Sequence, residues 1–263
     1  MFKVTQYPHG TFCWADGMSH DQKKADEFYA GVLGWQVLSV PISDEDTYSM
    51  YQKDGEDVAG LGQMSADMIE QGIPSHWNNY VNVTDVDALA DKVTELGGTL
   101  IAPPFDVMDN GRMLVLQDPT GATLGLWQGK SHIGAGLVNT VGAMCWNELA
   151  TRDIEKAQAF YGALLGWEFQ KEENQDYYTI LNQGRMNGGM LPIDESWGEA
   201  PAMWNVYFTV ADIEESVKQV EQHGGKLIMP VTPSMAGKFA FITDNTGAML
   251  YFLEAGERDA WIE

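Results

Sequence analysis

Two short stretches hold the residue types best suited to chemistry. "TFCWADG" (11–17) sets a thiol, an indole and a carboxylate at Cys13, Trp14 and Asp16, and "AMCWNE" (143–148) repeats the set at Cys145, Trp146 and Glu148. A thiolate can attack carbon or bind a soft metal, and a carboxylate can take a proton or bind a hard one. The two cysteines have no zinc-type spacing and form no disulfide framework, so each is expected to pack as a small hydrophobe, with a thiol nucleophile as the alternative. Along a strand, residues two apart share a face, which turns each tryptophan and its carboxylate one way and the cysteine the other. The five histidines do not converge: His9, His20, His132 and His223 fall in predicted loops or helix ends, and His76 precedes a strand containing Asn78.

Both stretches open a long copy of one pattern. "FYAGVLGW" (28–35) returns as "FYGALLGW" (160–167) with five of eight positions identical, 132 residues on. "WNNYVNVTDVD" from Trp77 answers "WNVYFTVADIE" from Trp204, and "LGGTLIAPP" from Leu96 answers "HGGKLIMPV" from His223, both displaced by 127. "GRMLVLQDPTGATLGLW" from Gly111 answers "GKFAFITDNTGAMLYFL" from Gly237, displaced by 126. The chain is a tandem duplication with short deletions in the second copy. Its joint falls in the Gly-rich, aperiodic "QGKSHIGAGLVN" (128–139), which divides the chain into 1–131 and 132–263.

Within each half one order of elements occurs twice: an alternating strand, an amphipathic helix, then three more strands. Ala25, Phe28, Tyr29, Val32 and Leu33 form an apolar stripe about 100° wide, with Ser19 and Gln22 reading as a capping box. Ala157, Phe160, Tyr161, Leu164 and Leu165 repeat the stripe. The next helix starts at Asp85 as N-cap and stops at Gly97-Gly98, and Asp212 to Gly224-Gly225 is its counterpart. "QKDGED" (52–57) reads as a hairpin turn, and Asp118-Pro119-Thr120-Gly121 as a turn before the last strand. The expected class is α+β, with four βαβββ modules.

Charge and composition exclude several functions. Fifteen basic against 38 acidic residues give −23, a field that repels phosphate backbones and anionic lipid heads, so neither nucleic acid nor membrane is an expected partner. With 44% hydrophobic residues and no long apolar run, the expectation is a globular protein of the cytoplasm.

The module order, "FY…LGW" closing the first helix, "GG" after the second and "DPTG" before the last strand together resemble the vicinal oxygen chelate superfamily of glyoxalases, bleomycin-resistance proteins and extradiol dioxygenases. The resemblance spans about 9–128 and 141–254, and in particular the chain looks like two-domain bacterial glyoxalase-like proteins. It implies a tandem pair of such domains, with two cupped mixed β-sheets and helices outside. In metal-using members the ligands stand at places that here carry Trp14, Asn78, Gly125 and a residue near Gly60, then Trp146, Asn205, Tyr251 and a residue near Gly188. None is an imidazole or carboxylate, so no cofactor is expected; a divalent site restored by a shifted register is the alternative.

The resemblance also implies that those places face the cups. Strand alternation then adds Phe12, Asp16, His76, Tyr80, Thr123 and Trp127 to the first, and Met144, Glu148, Met203, Tyr207, Met249 and Leu253 to the second, with the cysteines against the helices. The tryptophans line a pocket or simply fill it, and the asparagines contact a ligand or bond a neighbouring strand. Asp16 and Glu148, each beside an indole, are candidate general bases with raised pKa; the competing reading pairs them with Arg112 or Arg152 at the rim.

Four functions follow. The first is a metal-independent protein binding a small organic molecule in aromatic cups. The second is a lyase or isomerase in which Asp16 or Glu148 removes a proton beside a carbonyl whose oxygen Asn78, Asn205 or Tyr207 polarises. A metal-dependent glyoxalase or extradiol dioxygenase comes third, and a structural platform with filled cups fourth. The two halves already form a pseudo-dimer, so a monomer is expected, with a homodimer as the alternative.

Overall fold

A computed structural model describes residues 2–173 and 175–256. The first half runs β1 (Thr11–Ser19), α1 (Gln22–Leu33), β2 (Gln36–Pro41), β3 (Thr47–Lys53), β4 (Glu56–Gln63), β5 (His76–Asn82), α2 (Val86–Glu95), β6 (Thr99–Val107), β7 (Gly111–Gln117) and β8 (Thr123–Gly129). The second runs β9 (Met144–Thr151), α3 (Ile154–Leu165), β10 (Glu168–Lys171), β11 (Tyr178–Asn182), β12 (Arg185–Pro192), β13 (Met203–Thr209), α4 (Ile213–Gln222), β14 (Lys226–Leu227), β15 (Thr232–Ser234), β16 (Gly237–Thr243) and β17 (Met249–Ala255). Each half forms its own mixed sheet, of eight strands in the order β2-β3-β4-β1-β5-β8-β7-β6 and of nine in the order β10-β11-β12-β9-β13-β17-β16-β14, with β15 on β16. The α+β class and the module order read from the sequence are those of the protein.

Local signals explain most boundaries. Asp54 and Gly55 both have positive φ, which turns β3 into β4 with the twist a two-residue hairpin needs. Asp85 and Asp212 cap α2 and α4 by accepting from Ala88 and Glu215 N–H. The expected capping box on α1 is absent: its cap is Asp21, which accepts from Lys24 N–H at 3.0 Å, while Ser19 ends β1 and Gln22 bonds Ser49. An aspartate one residue before the helix out-competes a serine still held in the sheet.

The hydrophobic cores do not follow the halves. One joins Phe28, Tyr29 and Trp35 to Phe208, Val217 and Ile242; the other joins Phe160, Tyr161 and Trp167 to Val81, Val93 and Leu114. Each is shared between the first module of one half and the second module of the other. The repeated motifs fasten these cores. Tyr29 donates to Asp244 at 2.8 Å and accepts from Trp77 Nε1 at 2.9 Å. Tyr161 donates to Asp118 at 2.8 Å and accepts from Trp204 Nε1 at 2.8 Å. The "FY" and "DxTG" motifs are therefore cross-half locks, each a buried polar group with every partner supplied.

Candidate functional site

On β1, Asp16 lies opposite Asn78 of β5 and beside Gly60 of β4; on β9, Glu148 lies opposite Asn205 of β13 and beside Gly189 of β12. This register replaces Gly188 by Gly189 as the counterpart of Gly60. A glycine is needed at both places because a tyrosine lies across it: a Cβ on Gly60 would run into the Tyr48 hydroxyl, and one on Gly189 into that of Tyr177.

Those tyrosines complete one constellation, built twice. In the first cup Trp14 Nε1 donates to Tyr48 Oη at 3.3 Å, and Tyr48 donates to Asp16 Oδ2 at 3.2 Å. Asn78 Nδ2 and the Tyr80 hydroxyl donate to Asp16 Oδ1 at 3.0 and 3.2 Å. In the second cup Trp146 Nε1 donates to Tyr177 Oη at 2.9 Å, and Tyr207 donates to Glu148 Oε1 at 2.7 Å. Asn205 differs, its amide reaching the Glu148 backbone carbonyl at 3.4 Å instead.

Burial pushes the Asp16 carboxyl up to about 6, against the pull of Asn78, Tyr48, Tyr80 and the nearby His76. Burial likewise raises Glu148 against its bonds from Tyr207 and Tyr177. Neither carboxylate pairs with arginine: Arg112 binds Asp87 and Asp106, and Arg152 donates to the Gly198 and Ala200 carbonyls. The rim-pairing alternative thus does not describe either group.

The alternation rule fails at one point in each half. A bulge interrupts β1 between Phe12 and Trp14, and β9 between Met144 and Trp146. The extra residue flips what precedes it. Phe12 leaves the cup and packs on Trp167 and Trp204, with centroids 5.4 and 5.1 Å away, and Met144 joins the other shared core. Cys13 and Cys145, expected against the helices, cluster instead with the cup aromatics, and burial raises both thiols well above the usual range. His76 sits at the rim with Nδ1 2.8 Å from the Pro74 carbonyl, and Thr123 and Met249 are exposed.

Trp14, Tyr80 and Trp127 come together in the first cup, and Trp146, Tyr207 and Tyr251 in the second. Tyr207, Tyr251 and Phe241 form a parallel stack, with centroids 4.4 and 4.5 Å apart. The first cup is also crossed by the segment joining the halves. Ala135 N–H donates to the Cys13 carbonyl at 2.8 Å, Tyr7 donates to the Ala135 carbonyl at 2.7 Å, and the His132 ring stands edge-on to Trp14 at 4.7 Å. No motif in the sequence marks Tyr48 or Tyr177, and His132, expected in a loop or at a helix end, lies against the first cup. Tyr48 was within reach, since counting back from the Asp54-Gly55 turn sets it on the same face as Met50 and away from Tyr51.

At the places the resemblance assigns to metal ligands the structure presents indole, amide, glycine and phenol. That donor set does not fit a divalent metal, and no group of three His, Cys, Asp or Glu side chains converges among the described residues. A groove of about 560 Å³ between the Asp118 turn and the start of α3 lies apart from both cups. Its Arg152 is held by backbone carbonyls and its Asp153 caps α3, while Lys156 and Glu199 also line it.

The chain belongs to the Glyoxalase/Bleomycin resistance protein/Dioxygenase superfamily, whose model matches residues 18–126 and 139–252. It is 38% identical over 97% of its length to "Putative glyoxylase CFP32" of Mycobacterium tuberculosis, covering 98% of that protein. It is 28% identical to the anthracycline biosynthesis protein DnrV of Streptomyces peucetius, covering 97% of this chain and 96% of that one. The fold matches the Mn(II)-bound glyoxalase from Novosphingobium aromaticivorans with a TM-score of 0.64 at 13% identity, over 93% of this chain and 81% of that one. No helix among the described residues is long and apolar enough to cross a membrane.

Proposed function

We propose that the protein binds a small organic molecule in its aromatic cups without the metal centre of its superfamily, and that a cup carboxylate serves as the base if turnover occurs. The observation that carries this reading is the carboxylate ringed by phenols and an indole, present in both halves at the register positions around Asp16 and Glu148. A carboxylate titrating near 6 is mostly ionised at neutral pH and basic enough to take a proton from carbon beside a carbonyl. Once it has done so, the Tyr48 and Tyr80 hydroxyls lose their anionic acceptor and are free to donate to the oxygen on which charge develops. Tyr207 and Tyr177 stand in that relation to Glu148.

The name of DnrV favours a ring-bearing ligand, in keeping with aromatic walls. The reading needs no cofactor, takes the internal pseudo-dimer as a monomer, and places it in the cytoplasm, where two free cysteines stay reduced.

A metabolite screen read by tryptophan fluorescence tests binding, and Asp16→Asn and Glu148→Gln test chemistry: turnover is lost while affinity stays within a few-fold. One tightly held transition metal per purified chain overturns the metal-free part, and a screen without any response overturns the binding part.

A further inference from the structure

We propose that the groove between α3 and the Asp118 turn is a separate binding site, independent of the cups, for a small monocarboxylate carrying an apolar tail. Two recesses adjoin there and share Pro119 and Lys156. One, of about 420 Å³, is walled by Leu96, Pro119, Ala159 and Phe160, and Lys156 is its one charged residue. The other, of about 560 Å³, adds Arg152 beside Pro201 and Ala202. An apolar recess with a cation at the junction to a polar one fits a tail and a carboxylate joined end to end.

The duplication supplies an internal comparison. In the repeat, Leu96, Pro119 and Ala159 correspond to His223, Asn245 and Glu27, which belong to the equivalent place between α1 and the Asp244 turn. That place is filled. The His223 ring lies so close over Gly31 that a Cβ on the glycine would strike it, and Asn245 Nδ2 donates to the Lys24 carbonyl at 2.9 Å, tying the turn to α1. At the groove, proline has no side-chain donor to make that tie, and Ala163 stands where Gly31 admits the ring. Three polar residues are replaced by apolar ones on the same face, and the recess is what their loss leaves open.

The charges at the groove have donors to spare. Arg152 spends one guanidinium nitrogen, Nη2, on the Gly198 and Ala200 carbonyls, and among the described residues no ion pair engages Arg152 or Lys156. The remaining N–H groups can hold a carboxylate by charge-assisted bonds. Asp153, which caps α3, and Glu199 also line the groove, and their charges oppose a second anionic group on the ligand. The chemistry selected is that of a monoacid.

The test titrates the full-length protein calorimetrically at neutral pH with 3-phenylpropanoate, with its uncharged isostere 3-phenylpropanamide, and with propanoate, which lacks the ring. The acid is expected to bind about tenfold more tightly than either. Lys156→Gln lowers its affinity by about fivefold or more and leaves that of the amide unchanged, whereas Lys24→Gln, at the equivalent place on α1, alters neither. Ala159→Glu, which installs the counterpart of Glu27 in the recess, weakens the acid by about tenfold. Lys156 and Ala159 are both exposed on α3, so these substitutions spare the core. An amide or a propanoate bound as tightly as the acid overturns the proposal, as does a complete lack of binding at millimolar concentration. Acid binding that survives both Lys156→Gln and Ala159→Glu lies elsewhere on the protein and overturns it too, and so does an equal loss on Lys24→Gln.

Discussion

Asp16 offers the sharpest test because the structure makes it destabilising. Its carboxyl titrates at about 6 in the folded protein and at 3.8 when solvated. Folding therefore works against its ionisation. The penalty is absent below the unfolded value, where the group is protonated in both states, grows as pH rises between the two values, and is complete above about 6. That difference corresponds to roughly 3 kcal/mol. Asp16→Asn keeps the shape and removes the charge, at the cost of weakened bonds from Tyr48, Tyr80 and Asn78 worth about 1 kcal/mol. The variant is expected to be more stable than the natural protein by about 2 kcal/mol near neutral pH, and no more stable, or slightly less, below about pH 4. Urea unfolding of both proteins across that interval measures the difference directly. A variant less stable at neutral pH by an amount that does not change with pH would refute the reasoning, since it would mean the phenols and amide more than compensate for burial. The confirmed result fits a site kept for function at the expense of stability.

Three further perturbations follow from the same geometry. Tyr48→Phe removes a donor from Asp16 and the acceptor of Trp14 Nε1, so the Asp16 titration followed by carboxyl NMR moves further up, with a stability loss of about 1–2 kcal/mol. Gly60→Ala drives a methyl into the Tyr48 ring and is expected to cost roughly 1–3 kcal/mol by thermal unfolding while altering tryptophan emission in the first cup. Tyr29→Phe leaves Asp244 Oδ2 and the Trp77 indole N–H without that partner, while Asp244 Oδ1 keeps its bonds from Thr246 and Ala248; a loss of about 1–3 kcal/mol with ligand affinity unchanged would establish a structural lock, whereas a selective loss of binding would argue for a role at the site.

The duplication, the module order and the turns were legible in the sequence because each depends on neighbours in the chain. The apolar stripe from Ala25 to Leu33, the Asp54-Gly55 turn and the caps at Asp85 and Asp212 are local chemistry, and local chemistry survives folding. The pairing of Trp14 with Asp16, and of Trp146 with Glu148, followed from strand alternation alone. Alternation failed for Phe12 and Met144 because an extra residue in β1 and in β9 reverses the side chains before it, and for Cys13 and Cys145 because each is that extra residue; no residue type announces such a bulge.

Contacts distant in sequence belong to tertiary structure. Tyr29 and Asp244 are 215 residues apart, and Tyr161 and Asp118 are 43 apart. The motifs alone could mark these residues as repeated without showing that each lock joins one half to the other. The Tyr48 and Tyr177 hydroxyls reach their carboxylates only because Gly60 and Gly189 leave space across a strand pair. Sequence determined which carboxylates stand beside indoles; the packed sheets decided that phenols, joined at Asp16 by the Asn78 amide, would bond them.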